Sequence, residues 1–183
     1  MTTTAMTTGG LPLASAGLVV ALSMLACSPA LDWRESRPEG SGVAMMFPCR
    51  PERQERPARI GTETLAMRLY SCHAAGSTFA LVNADATDPS RVEALLEAWR
   101  GQAIANVDGI AAAEATPTIP GATPNAQSAR LRIVGKRPDG RRVVAHAAFF
   151  VKGLTLYQAT VIGAEEPADR EAIDTFFGSI RLP

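Results

Sequence analysis

Residues 128–163 read SARLRIVGKRPDGRRVVAHAAFFVKGLTLYQATVIG, and this stretch decides the fold. Leu131 and Ile133 alternate with Arg130 and Arg132, the period of two that puts one set on a buried face and the other on a wet one. At Arg137-Pro138-Asp139-Gly140 the proline presets φ and the glycine supplies a positive φ, so the chain turns. Residues 143–151 (VVAHAAFFV) form a second strand, Lys152-Gly153 turns again, and residues 154–162 form a third. This is a three-stranded antiparallel meander. Phe149 and Phe150 are neighbours on one strand and project to opposite sides, which predicts a sheet covered on both faces.

On the C-terminal side of the meander, Ile173, Phe176, Phe177 and Ile180 recur at i, i+3, i+4 and i+7. They predict an amphipathic helix opened by Pro167 and capped by Gly178. On the N-terminal side, residues 110–127 (IAAAEATPTIPGATPNAQ) hold three prolines and show no period, so they read as a long loop. Before that loop Asp88-Pro89 is a helix start, with the carboxylate as N-cap and the proline at the first helical position. Val92, Leu95, Leu96, Trp99 and Ala103 fall on one face of that helix, and Asp108-Gly109 ends it. Three strands precede it, over residues 43–47, 64–72 and 77–85, the last two joined by a hairpin at Ala75-Gly76. Residues 50–59, an alternation of Arg, Glu and Pro, read as a solvated connection. The order βββαβββα predicts an α+β fold: a six-stranded, mainly antiparallel sheet carrying two amphipathic helices.

Everything charged lies after one further stretch, residues 11–27 (LPLASAGLVVALSMLAC). Its apolar run is shorter than the ~20 residues that span a bilayer as a helix. It ends in Ala26-Cys27, which resembles the lipobox of bacterial lipoprotein signals, although no Lys or Arg precedes the run. The resemblance implies a signal over residues 1–26, lipidation of Cys27, a tether over residues 27–42 and one domain over residues 43–183. Ser28 after the cysteine resembles lipoproteins sorted to the outer membrane. Two other outcomes stay open: cleavage after Ala30, in the small-residue context Ser28-Pro29-Ala30, and retention as a membrane anchor. The tether is polar, and its Trp33 either docks on the domain or meets a membrane surface.

The 18 basic and 18 acidic residues cancel, so no global field draws the mature chain to nucleic acid. An apolar fraction of 46% is enough for a core and too high for a disordered chain. Of the basic residues only Lys136 and Lys152 are lysines.

The three cysteines are Cys27, Cys49 and Cys72. In an oxidising compartment two of them pair, and a lipidated Cys27 leaves Cys49 and Cys72 as the pair. Each falls at a strand end, and antiparallel pairing of the first two strands brings them together. Free thiols, or redox or metal chemistry, are the other readings. His73 follows Cys72 directly, but strand neighbours face apart, so the two do not form a dyad. His146 shares a face with Val144, Ala148 and Phe150 and reads first as a half-buried histidine bonded to a neighbour. Asp85 and Asp88 bracket a strand end, and Asp88 already has a capping role. No metal-ligand spacing, nucleophile elbow or phosphate loop is present, so neither a catalytic residue nor a metal or other cofactor is assigned. Arg130, Arg132, Lys136, Arg137, Arg141 and Arg142 cluster on one hairpin. Arg130, Arg132, Arg137, Arg141 and Arg142 form the candidate surface for lipid phosphates or an acidic partner, beside the loop of residues 110–127; a solvated sheet face is the plainer reading.

The strand ending Phe47-Pro48, the helix begun at Asp88, the hairpin Lys152-Gly153-x-x-x-Tyr157 and the closing Phe176-Phe177-x-Ser179-x-Arg181-Leu182 resemble exported bacterial proteins of the PsbP/Mog1-like group, which includes DcrB-type lipoproteins. That resemblance implies a sandwich fold and a binding or accessory role without a shared catalytic site, and it carries over no functional residue. The expectation is a non-catalytic, monomeric lipoprotein on the periplasmic face of a bacterial membrane. It would be tethered through Cys27 and bind an envelope protein or lipid. The alternative is a periplasmic enzyme, or a small-ligand or metal-binding module, built on His146 and nearby groups.

Overall fold

The computed structural model describes residues 1–3, 30–115, 117–164 and 169–183; the signal stretch with Cys27, and Pro167, lie outside them. In chain order the described elements are β1 (Arg34–Ser36), β2 (Met45–Phe47), β3 (Glu52–Ile60), β4 (Glu63–Ala74), β5 (Ser77–Asp85), α1 (Val92–Ala105), β6 (Ile110–Ala115), β7 (Ala129–Lys136), β8 (Arg142–Lys152), β9 (Thr155–Gly163) and α2 (Arg170–Gly178). The meander forms as its alternation predicts: Leu131 pairs with Ala147, Ile133 with Ala145, and Phe150 with Tyr157.

Three corrections change the sheet from the expected six strands to seven, all antiparallel, in the order β3-β4-β5-β9-β8-β7-β6: two strands are added, and the strand expected over residues 43–47 leaves the sheet. The charged segment read as a connection is β3, paired with β4 from Glu52↔Ser71 to Ile60↔Glu63. The start of the segment read as a long loop is β6, paired with β7. Both are edge strands, and that is why they escape pattern reading. An edge strand tolerates a proline, here Pro57, and a row of charges. Alanine, which makes up most of β6, has little strand preference. A separate ribbon pairs β1 with β2, Arg34↔Phe47 to Ser36↔Met45. The residues read as a tether are therefore folded from Leu31 onward, with Leu31 and Trp33 packed on the core. Trp33 meets Phe79 edge-on at 5.9 Å.

The helices sit on opposite faces of the sheet. Asp88 accepts a hydrogen bond from the Ser90 N–H at 2.8 Å, and a 3-10 turn at Pro89–Arg91 leads into α1. After α1 the chain folds tightly against β7: the Lys136 N–H donates to the Val107 carbonyl at 2.6 Å. A Cβ on Gly135 would overlap that same carbonyl oxygen, so only glycine fits there. At α2 the N-cap is Asp169, whose carboxylate accepts from the Ala172 N–H at 2.7 Å. Gly178 is the last helical residue and Ser179 the cap, one position beyond the expected stop.

Two cores result. Under α1 lie Leu65, Met67, Ala84, Leu131, Phe149 and Leu156 against Val92, Leu95, Leu96 and Trp99. Under α2 and the β1–β2 ribbon lie Phe79, Leu81, Phe150, Tyr157, Ala159 and Val161 against Met45, Phe47, Ile173, Phe176 and Phe177. Phe149 and Phe150 serve opposite faces, as their adjacency predicts. No helix among the described residues is long and apolar enough to cross a membrane.

Candidate functional site

The strand register builds a polar site at one margin of the α2 core. One row across the sheet runs Cys72, Phe79, Val161, His146, Arg132, Ala112; the next runs Tyr70, Leu81, Ala159, Ala148, Arg130, Ala115. Each row begins in the core, carries a cation at β7 and ends in an alanine of β6. A register shift between Ala113 and Ala115 marks a bulge at Glu114 in β6. A bulge re-aims a side chain, and here the Glu114 carboxylate meets groups from both rows. Its Oε1 lies 2.8 Å from His146 Nδ1, and its Oε2 accepts from Arg130 Nε at 3.2 Å. Arg130 also reaches Asp174 of α2 at 3.3 Å, and its guanidinium stands 4.5 Å above the Phe177 ring. One cation is thus held by two carboxylates and an aromatic face, which ties β6, β7 and α2 together.

Glu114, Arg130 and His146 line a cleft of about 390 Å³ with Arg132, Asp169, Arg170 and Ile173. His146 is 6% exposed, so it forms a wall of the cleft. A general base must come within hydrogen-bond reach of the proton it removes. With the ring this deeply covered, the cleft presents guanidinium and carboxylate groups to an incoming molecule more than it presents imidazole. Three guanidinium groups, Arg130, Arg132 and Arg170, and two carboxylates, Glu114 and Asp169, line it.

The five arginines of the candidate surface do not form one patch. Arg130 and Arg132 stand on the α2 face beside the cleft. Arg137, Arg141 and Arg142 stand at the β7–β8 turn, about 20 Å further along β7 at ~3.4 Å per residue. Arg141 pairs with Asp139 at the tip of that turn. Of the remaining candidates, the Cys49 and Cys72 sulfurs are 2.11 Å apart with Cα atoms 5.9 Å apart. Their approach comes from β3 pairing with β4, which sets Glu52 beside Ser71; the strand before Cys49 pairs instead with β1. His73 is exposed, with its ring 3.4 Å from the Thr78 hydroxyl, on the strand face opposite Cys72. Asp85 is engaged by Arg68 and by the Thr155 hydroxyl, while Asp88 caps its helix turn, so the two carboxylates do not converge. Among the described residues no three His, Cys, Asp or Glu side chains gather as metal ligands.

Sequence reading missed Glu114. It lay in a segment without periodicity, and the signal that finds it is positional: a carboxylate two strands from His146 in the antiparallel order. Comparison with protein-family models, with curated proteins and with solved structures gives no match.

Proposed function

We propose that this chain is a non-catalytic, lipid-anchored protein of the bacterial cell envelope, with a PsbP/Mog1-like domain that binds a partner through the Glu114–His146 cleft. The partner presents an acidic group there, from a protein or a lipid head. Cys27 is the anchor, and the outer membrane is the favoured site. The observation that carries the binding reading is the lining of the cleft: Arg130, Arg132 and Arg170 surround it, and the histidine in its wall is covered. A half-enclosed cluster of guanidinium groups suits a carboxylate or phosphate in bidentate geometry. The sulfur pair Cys49–Cys72 fits an oxidising compartment and leaves Cys27 for modification.

Two measurements test this. Intact mass of membrane-extracted protein, with and without reductant, is expected to show a diacylated N-terminus at Cys27 and a gain of one pair of hydrogens on reduction. An unmodified chain beginning at Leu31 overturns the anchor. Cross-linking in living cells is expected to recover a partner with the natural protein and at least tenfold less with Arg132→Ser and Arg170→Ser combined. Equal recovery removes the cleft as the binding surface.

A further inference from the structure

We infer that the opposite face of the sheet carries a second binding site, for a small molecule with a slender apolar body and one anionic head, of the alkyl carboxylate class. The site is the part of the α1 face that α1 leaves uncovered. Both the β1–β2 ribbon and α2 pack on the other face, so this one is covered by α1 and the short segment that follows it at Val107. The helix covers the rows nearest the β3–β4 turn and stops at Ala105. Beyond it, the sheet still presents apolar side chains: Leu69 pairs with Val82, and Ile162 with Ala145. Leu69, Val82 and Ile162 are only half-buried.

These residues floor a groove of about 260 Å³, walled by the flank of α1 at Trp99 and Ala103. Sites for drug-sized ligands usually enclose ~300–1,000 Å³, so this groove suits a narrow occupant. Its polar groups are few and placed. Gln158 Nε2 donates to the Thr160 hydroxyl at 2.9 Å within the floor, and Gln102 and Asn106 stand on the helix side. Arg56 is the one charged side chain among the lining residues. No carboxylate pairs with it among the described residues, whereas its neighbours Arg53 and Arg68 pair with Glu55 and Asp85. An apolar trough with a single uncompensated cation and no acid selects a monoanion with a hydrocarbon body. The head lies at Arg56 on β3, and the chain runs over Leu69 and Val82 toward Ile162.

The protein carries its own reporter. Of its two tryptophans, Trp99 lines the groove and Trp33 is packed on the other face against Phe79. In the Trp33→Phe protein, Trp99 emission is titrated with hexanoate, octanoate, decanoate and dodecanoate below their micelle concentrations, and with octanol. Saturable changes are expected. Affinity rises about fourfold per added methylene, the fold-change that corresponds to ~0.8 kcal/mol per buried CH₂, until the groove is full. Octanol binds about tenfold more weakly than octanoate, and Arg56→Gln abolishes that difference. Val82→Phe, or Leu69→Phe should the first variant not fold, fills the floor and removes binding. Emission that does not saturate with any chain length overturns the inference. So does equal affinity for octanol and octanoate, or octanoate binding unchanged in a folded groove-filling variant.

Discussion

The face of the sheet under α2 is closed by rings, while the face under α1 is closed by one helix along part of its width. On the α2 side Phe176 meets Phe47, Phe79 and Phe177, each with centroids 5.4 Å apart, and Phe150 stacks on Tyr157 at 5.0 Å. Three separate segments converge there: the β1–β2 ribbon, α2 and the C-terminal residues, which bond back through Ala44 and Arg181. Gly121 allows the last of these approaches, since a Cβ there would overlap the Leu182 carbonyl. On the α1 side Val92, Leu95, Leu96 and the one ring of Trp99 pack on the sheet, and the remainder stays open. The difference teaches that covering both faces of a wide sheet takes more chain than two short helices supply. The unclosed remainder is where apolar side chains stay available to a ligand.

The largest effect that separates the two faces is expected from Phe176→Ala. The ring is fully buried among three others, and its loss should lower stability by about 3–5 kcal/mol; Leu69→Ala on the open face should cost less than half of that. Urea midpoints of the two variants check this, and equal losses would mean that the groove is packed as tightly as the core.

Next in size is the cysteine pair, which belongs to the α2 face and closes a separation of 23 residues. Replacing both by alanine should lower stability by about 3 kcal/mol, read from the same unfolding curves with and without reductant. A natural protein indifferent to reductant would remove the bridge from the account of this face.

Tyr157 gives a smaller effect with a pH signature. Its hydroxyl donates to the buried Ser41 carbonyl at 2.8 Å and pins the segment before β2 to the sheet. Tyr157→Phe leaves that carbonyl without its donor and should cost about 1–3 kcal/mol. Burial pushes the Tyr157 hydroxyl above its ordinary value of 10.0. A raised folded-state value means the stabilisation is complete below pH 10.0 and is lost as pH rises through the higher folded value. Alkaline unfolding of the natural protein should therefore be steeper than that of Tyr157→Phe, a contrast measured by unfolding across that range.

The smallest effect lies at the start of α1. The Ser90 hydroxyl and the Ser90 N–H hold the Asp88 carboxyl below its ordinary value of 3.8. A lowered folded-state value means the contribution is present above 3.8 and is lost as pH falls through the folded value. Asp88→Ala should flatten the acid limb of the stability profile as pH falls through and below 3.8 while leaving the alkaline limb unchanged.

Much of this architecture was legible in the chain. The alternation around Leu131 and Ile133, the turn at Asp139-Gly140 and the stripe Ile173-Phe176-Phe177-Ile180 are local patterns, and each corresponds to an observed element. What was illegible has one cause. β3 and β6 are edges, with a neighbour on one side only, so their side chains need not alternate in polarity. The charges and Pro57 of β3 disguise one edge, and the alanines of β6 disguise the other. Missing β6 meant missing the bulge at Glu114, and with it the partner of His146.

The sequence by itself determined the α+β class, the central meander, the capped start at Asp88 and the division of Phe149 from Phe150, while the second helix starts at Arg170 with Asp169 as its cap. These depend on periodicity and capping within a few residues. Only the tertiary structure decided the seven-strand order, the convergence of Glu114, Arg130 and His146, the separation of the arginines into two groups and the open half of the α1 face. Each is a matter of which distant strands become neighbours. Strand order follows from the burial of whole faces, a sum over the chain that no local window contains.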